Sequence, residues 1–101
     1  MATLPITTFD GPGVTTQEFG AVPGTLTVEF VNDGGFVGTI VLERKDFQGL
    51  NEWVQVTRAG AVASWNASFV ELLSEPSQYA RYRLRCASYS SGSGRGTISQ
   101  I

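Results

Sequence analysis

The chain has 101 residues, 42% of them hydrophobic and 16% charged, with a formal net charge of −2. That size and balance give one globular domain and exclude a disordered chain. The slightly acidic balance offers no general attraction for nucleic acid or anionic membrane, and a single cysteine without any histidine excludes an internal disulfide and a Cys/His zinc set.

Residues 1–23 are rich in Thr, Pro and Gly with scattered apolar side chains, among them Leu4, Ile6 and Phe9. They read as an N-terminal arm or edge strand, either pairing at home or docking on a neighbour's sheet edge, where alternate apolar side chains would fill pockets. The opening Met1-Ala-Thr-Leu-Pro-Ile6 has neither the basic start nor the apolar run of a signal peptide. No stretch approaches the ~20 apolar residues of a membrane span. The protein is therefore expected to be made in the cytoplasm, and to stay there or leave inside a particle.

Thr25 to Val31 alternates strictly, with Leu26, Val28 and Phe30 on one face and Thr25, Thr27 and Glu29 on the other, as in a half-buried antiparallel strand. Asn32-Asp-Gly-Gly35 is a strong turn signal, since Asn and Gly accept positive φ. Val37 to Arg44 places Gly38, Ile40 and Leu42 inward and Thr39, Val41 and Glu43 outward. Asp46-Phe-Gln-Gly-Leu-Asn51 then connects it to Glu52-Trp-Val-Gln-Val-Thr57, which predicts an antiparallel hairpin turning on Gly49.

Residues 61–73 read mostly as strand, as one or two strands with a break near Asn66, or in part as a short helical turn. From Tyr79 to Ala87, Tyr82, Leu84 and Cys86 share one face and Arg81, Arg83 and Arg85 the other; a helix would scatter the arginines, so this is a strand. Ser88 to Gly96 reads as a polar turn before a last strand from Thr97 to Ile101. About seven or eight short strands follow, hence an all-β fold: a small antiparallel β-sandwich over residues 24–101, immunoglobulin-like or jelly-roll-like.

Chemistry-bearing constellations are few. Without histidine the usual nucleophile–base pair is missing, and no spacing marks out a carboxylate pair. Asp33 and Asp46 sit near glycines, but the ligand count is too low for calcium over ordinary turn chemistry. Gly92-Ser-Gly-Arg-Gly96 shares only its glycines with phosphate loops. Cys86 alternates with core positions and reads as a small buried hydrophobe. No catalytic residue, cofactor or metal is expected.

Surface contact is the remaining mode. Arg81, Arg83 and Arg85 form either a contact strip for an acidic surface or a solvent face paired with carboxylates such as Glu29 and Glu43. Phe47 and Trp53 lie around a turn that should be polar, as binding aromatics or, for Trp53, as a cap on the end of the core.

Gly38-Thr-Ile-Val-Leu-Glu-Arg44, a Gly-containing turn, Trp53-Val-Gln-Val56 and Tyr82-Arg-Leu-Arg-Cys86 followed by a Ser/Gly turn together resemble small β-sandwich virion proteins of tailed bacteriophages, of the head decoration or fibre type. The resemblance covers roughly residues 24–101. It departs at Asp46 to Asn51, where many relatives have a Ser-x-Asp-Gly-Gly turn. It implies a structural virion protein, most simply a capsid decoration or cement protein. The implied partner is the major capsid protein or another virion protein, met as a homo-oligomer or multi-copy lattice. The alternatives are a tail or fibre component, a receptor- or carbohydrate-binding module with Trp53, Phe47 and Tyr89 as stacking platforms, and a cytoplasmic adaptor.

Overall fold

The computed structural model describes residues 2–20, 23–58, 61–62 and 64–100. The described residues hold ten strands and no helix: β1 (Ala2–Thr3), β2 (Thr7–Phe9), β3 (Phe19–Gly20), β4 (Gly24–Asp46), β5 (Val54–Gln55), β6 (Thr57–Arg58), β7 (Ala61–Val62), β8 (Ser64–Trp65), β9 (Phe69–Glu75) and β10 (Ala80–Gln100). Antiparallel all-β structure is thus as expected. Ala63 and Ile101, both expected from the sequence to lie in strands, are outside the described residues.

The strand count hides a correction. Both polar segments expected to reverse the chain, Asn32–Gly35 and Ser88–Gly96, instead lie within long strands. β4 and β10 pair antiparallel along almost their whole length, from Ala80↔Asp46 to Gln100↔Leu26, with register shifts between Cys86 and Arg95. Those shifts are β-bulges, which bend a strand without ending its pairing. Gly35 and Gly92 lie at φ 70° and 78°, so the bulges use the left-handed backbone that glycine adopts freely. Asn32 completes the bend. Its side chain accepts from the Phe36 amide at 2.8 Å and donates to the Phe36 carbonyl at 2.9 Å, replacing ladder bonds that the bulge interrupts.

The flanking strands follow the same crease. On one edge β1 and β2 pair with the end of β10, while Gly13, Val14 and Thr16 bond to Leu84 and Cys86 and β3 pairs with Arg81 and Tyr82. On the other edge β9 pairs with Gly24–Phe30, whereas β8 and β5 pair with residues 40–41 and 43–44 of β4. The domain is one antiparallel sheet folded once across its strands into two half-sheets. β6 and β7 form a separate small hairpin.

Alternation buries the inner faces. Leu26, Val28, Phe30 and Ile98 of the first half-sheet meet Ile40, Leu42, Leu84 and Cys86 of the second in a single core. Phe30 sits at its centre, 5.9 Å from Phe9 and 5.3 Å from Phe36 in edge-to-face contacts. Trp65 stacks on Phe69 at 3.9 Å, and Phe69 in turn on Phe30, at the core's edge. Cys86 is buried and donates its thiol to the Ser88 carbonyl; burial pushes its pKa up, partly opposed by the charge of Arg85.

Residues 2–20 belong to this body. Phe9 and Phe19 are buried in the core, and Leu4 packs against it with its amide bonded to Ile98. The segment serves as an edge strand of its own sheet, so Phe9 is not an accessible contact residue. Ile6 is exposed and lines a small groove with Glu29 and Arg95.

Candidate functional site

The outer face of the second half-sheet gathers most of the charged and aromatic candidates. The register pairs Lys45 with Arg81, Glu43 with Arg83 and Val41 with Arg85, so these odd-numbered side chains share one face. β5 lies alongside through Glu43↔Gln55 and Arg44↔Val54, which sets Trp53 beside Lys45. The Phe47 amide bonds to the Tyr79 carbonyl and brings a second ring to the end of the same row.

Ion pairs and cation–π contacts interlock along this strip. Glu43, almost wholly buried, accepts from Arg83 Nε at 2.7 Å and from Arg85 Nε at 3.1 Å. Arg83 then lies over the Trp53 ring, 4.3 Å from its centroid, with the Lys45 ammonium 5.1 Å from the same centroid. Lys45 also reaches Glu18 at 3.6 Å and approaches the Phe47 ring at 5.6 Å. Arg81 sits over Phe47 at 4.6 Å. Each such contact is worth about 0.5–1 kcal/mol at an exposed site, so the set stiffens the strip more than it stabilises the fold.

Of the expected contact residues, Phe47, Trp53, Arg81, Arg83 and Arg85 come together here, while Leu4, Ile6 and Phe9 lie on the other half-sheet. Trp53 does not cap the core; it lies on the outer face over the cations. Glu29, offered as a partner for the arginines, sits opposite Thr97 and Val70 on the other half-sheet, and Glu43 takes two arginines alone. Tyr89 is half-buried against Phe36 and donates its hydroxyl to the Gly92 carbonyl, away from Trp53 and Phe47. Lys45 and Glu18 were not foreseen. Alternation with Glu43 marks Lys45, but Glu18 is brought in by a register that no local pattern announces.

The connection Asp46 to Asn51 is ordered by Asp46. Its backbone carbonyl accepts from the Gly49 and Asn51 amides, and its carboxylate from the Gln48 amide and from Arg44. The positive φ in this connection falls on Asn51, at 55°, and Gly49 keeps a negative φ. Leu50 is left 87% exposed at the tip. Beside it opens a cleft of about 500 Å³ lined by Arg44, Leu50, Val54 and Val56.

Of the residues lining this cleft, Arg44 donates to Glu75 through Nε at 2.5 Å and Nη2 at 3.1 Å, and Glu75 also accepts from the Tyr82 hydroxyl at 2.6 Å and the Ser77 amide at 2.9 Å. Burial pushes the Glu75 carboxyl up, but the bonds from Arg44, Tyr82 and Ser77 outweigh it and leave the pKa below its ordinary value. Burial, with the bond to Glu75, pushes the Tyr82 phenol up against the opposing effect of Arg44, and the bond to Glu75 pushes the Arg44 guanidinium up. These charges are committed to one another.

Asp33 pairs with Arg95 at 2.7 Å, so neither Asp33 nor Asp46 is an open ligand. Among the described residues, no group of three or more His, Cys, Asp or Glu is placed to hold a metal ion, and no helix is long and apolar enough to cross a membrane. Comparison of the chain with family models, with curated proteins and with solved structures finds no match.

Proposed function

We propose that this protein is a structural binding module that works through the outer face of its second half-sheet, as one of many copies on a phage particle. The carrying observation is the strip in which Phe47 and Trp53 are interleaved with Lys45, Arg81 and Arg83, and anchored by Glu43. Aromatic and arginine side chains held on a rigid sheet lose little rotamer freedom on binding, which favours them as interface anchors. The bent β4–β10 pair supplies the stiff support.

A capsid decoration or cement protein is the form of this reading that accords with the resemblance of residues 24–101 to virion proteins. Such a protein needs a firm body and one adhesive face, because many weak contacts repeated over a lattice sum to firm attachment. A glycan-binding role for Trp53 has less support, since Arg83 and Lys45 already lie against its ring.

The test is quantitative mass spectrometry of gradient-purified virions from cells infected by a phage carrying this gene. Many copies per particle are expected. Abundant protein in the lysate with none in the particles would rule out the virion role.

A further inference from the structure

Within this face, and resting on the proposed surface-binding reading, one cation stands apart. Arg83 and Arg85 are held by Glu43, Lys45 by Glu18, Arg44 by Glu75 and Asp46, and Arg95 by Asp33. Among the described residues, Arg81 makes no ion pair and no side-chain hydrogen bond; its guanidinium carbon lies 4.6 Å from the centre of the Phe47 ring. Stacking occupies the face of a guanidinium and leaves the N–H donors around its rim for a planar acceptor.

We propose that Arg81, backed by Phe47, is the receptor for a carboxylate side chain on an acidic protein partner. Phe47 is 44% exposed and Arg81 is half-buried with Nη1 beside Gly20, so an incoming segment meets an apolar ring next to the guanidinium edge that Gly20 leaves uncovered. The neighbouring Arg83 and Lys45 add positive potential while their own carboxylates fix them in place. Charge favours a protein partner over nucleic acid: a phosphate backbone is held by several unpaired cations at once, whereas this strip offers one within a chain of net charge −2.

The experiment is a nuclear magnetic resonance titration of the full chain with a hexaglutamate peptide, following the Arg Nε–Hε signals and the backbone amides. The Arg81 Nε–Hε signal and amides near residues 47 and 81 are expected to shift most. Arg81→Ala should weaken binding about tenfold or more, the equivalent of one charge-assisted pair. Arg81→Lys, which keeps the charge but loses the fork, should recover only part, and Arg95→Ala on the other half-sheet should change nothing.

An unchanged affinity in Arg81→Ala, with an unaltered urea midpoint showing the variant folded, would overturn the proposal. So would shifts centred on Arg95 or Arg44, or tighter binding of tripolyphosphate than of hexaglutamate at Arg81. Should the peptide leave Arg81 untouched while virions still carry the protein, the receptor is wrong and the particle role stands.

Discussion

Arg44 and Glu75 tie together the two ends of one strand. Glu75 pairs with Gly24 at the start of β4, and Arg44 lies near the end of the same strand, yet Nε meets the Glu75 carboxylate at 2.5 Å. The fold of the sheet brings these ends together, and the ion pair clamps the two half-sheets at the side opposite the crease. Glu75 is only 2% exposed, so removing its partner strands a charge.

Glu75→Gln and Arg44→Met should each destabilise the protein by about 2–3 kcal/mol, below the usual figure for a fully buried pair because Arg44 keeps contact with water. Urea denaturation at neutral pH measures this.

The same pair sets an acid limit. The folded Glu75 carboxyl titrates below its ordinary value of 4.5. Its contribution is therefore complete above that value and is lost as pH falls through the lower folded pKa. Urea midpoints of the wild type should drop below pH 4.5, and the Glu75→Gln variant should show a shallower drop over the same range. Equal slopes would locate the acid sensitivity elsewhere.

Two glycines across from core rings should be intolerant of a methyl group. A Cβ at Gly94 would press into the Phe30 ring, and one at Gly96 would lie 2.8 Å from the Phe9 ring. Gly94→Ala should cost about 1–3 kcal/mol through overpacking. At Gly49 the nearest atoms are 3.7 Å away and φ is not positive, so Gly49→Ala should stay within about 0.5 kcal/mol of wild type. Thermal melts of the two variants side by side decide it.

Phe9 is wholly buried and makes an edge-to-face contact with Phe30. Phe9→Ala should cost about 3–5 kcal/mol. Deleting residues 1–20 also removes Phe19 and uncovers an edge of β10, and should leave a chain that does not fold cooperatively by circular dichroism. An arm that docks on a neighbour would instead leave a stable body behind when removed.

The alternation of Leu26, Val28 and Phe30, of Ile40 and Leu42, and of Tyr82, Leu84 and Cys86 was legible because burial on one face imposes period two directly on the sequence. The hairpin from Glu43 to Gln55 was legible for the same reason. The bends were not. Asn32–Gly35 and Gly92 have the residues of a reversing turn, and the same positive φ also serves a bulge; the choice is made by the partner strand, whose own bulges fall opposite. Phe9 looked like an arm residue because an isolated aromatic among Thr, Pro and Gly shows no period.

The strip was half legible. The arginine row and Trp53 were visible as separate features, but their meeting over Glu43 follows from the β4–β10 register, which no local signal carries. Lys45 and Glu18 enter by the same route.

Trp53→Ala removes a ring that serves Arg83 and Lys45 on the outer face and leaves the core intact. It should cost about 1–2 kcal/mol and leave a cooperative unfolding transition. Its effect on attachment should be larger than its effect on stability.

The central claim is that the cation–aromatic face holds the protein to a repeated surface. The most direct measurement is co-sedimentation of purified wild-type, Trp53→Ala and Arg81→Ala proteins with phage heads that lack this protein. Saturable binding by the wild type, with at least tenfold weaker binding by both folded variants, is the predicted result. Equal binding by all three, or none by the wild type, would contradict it.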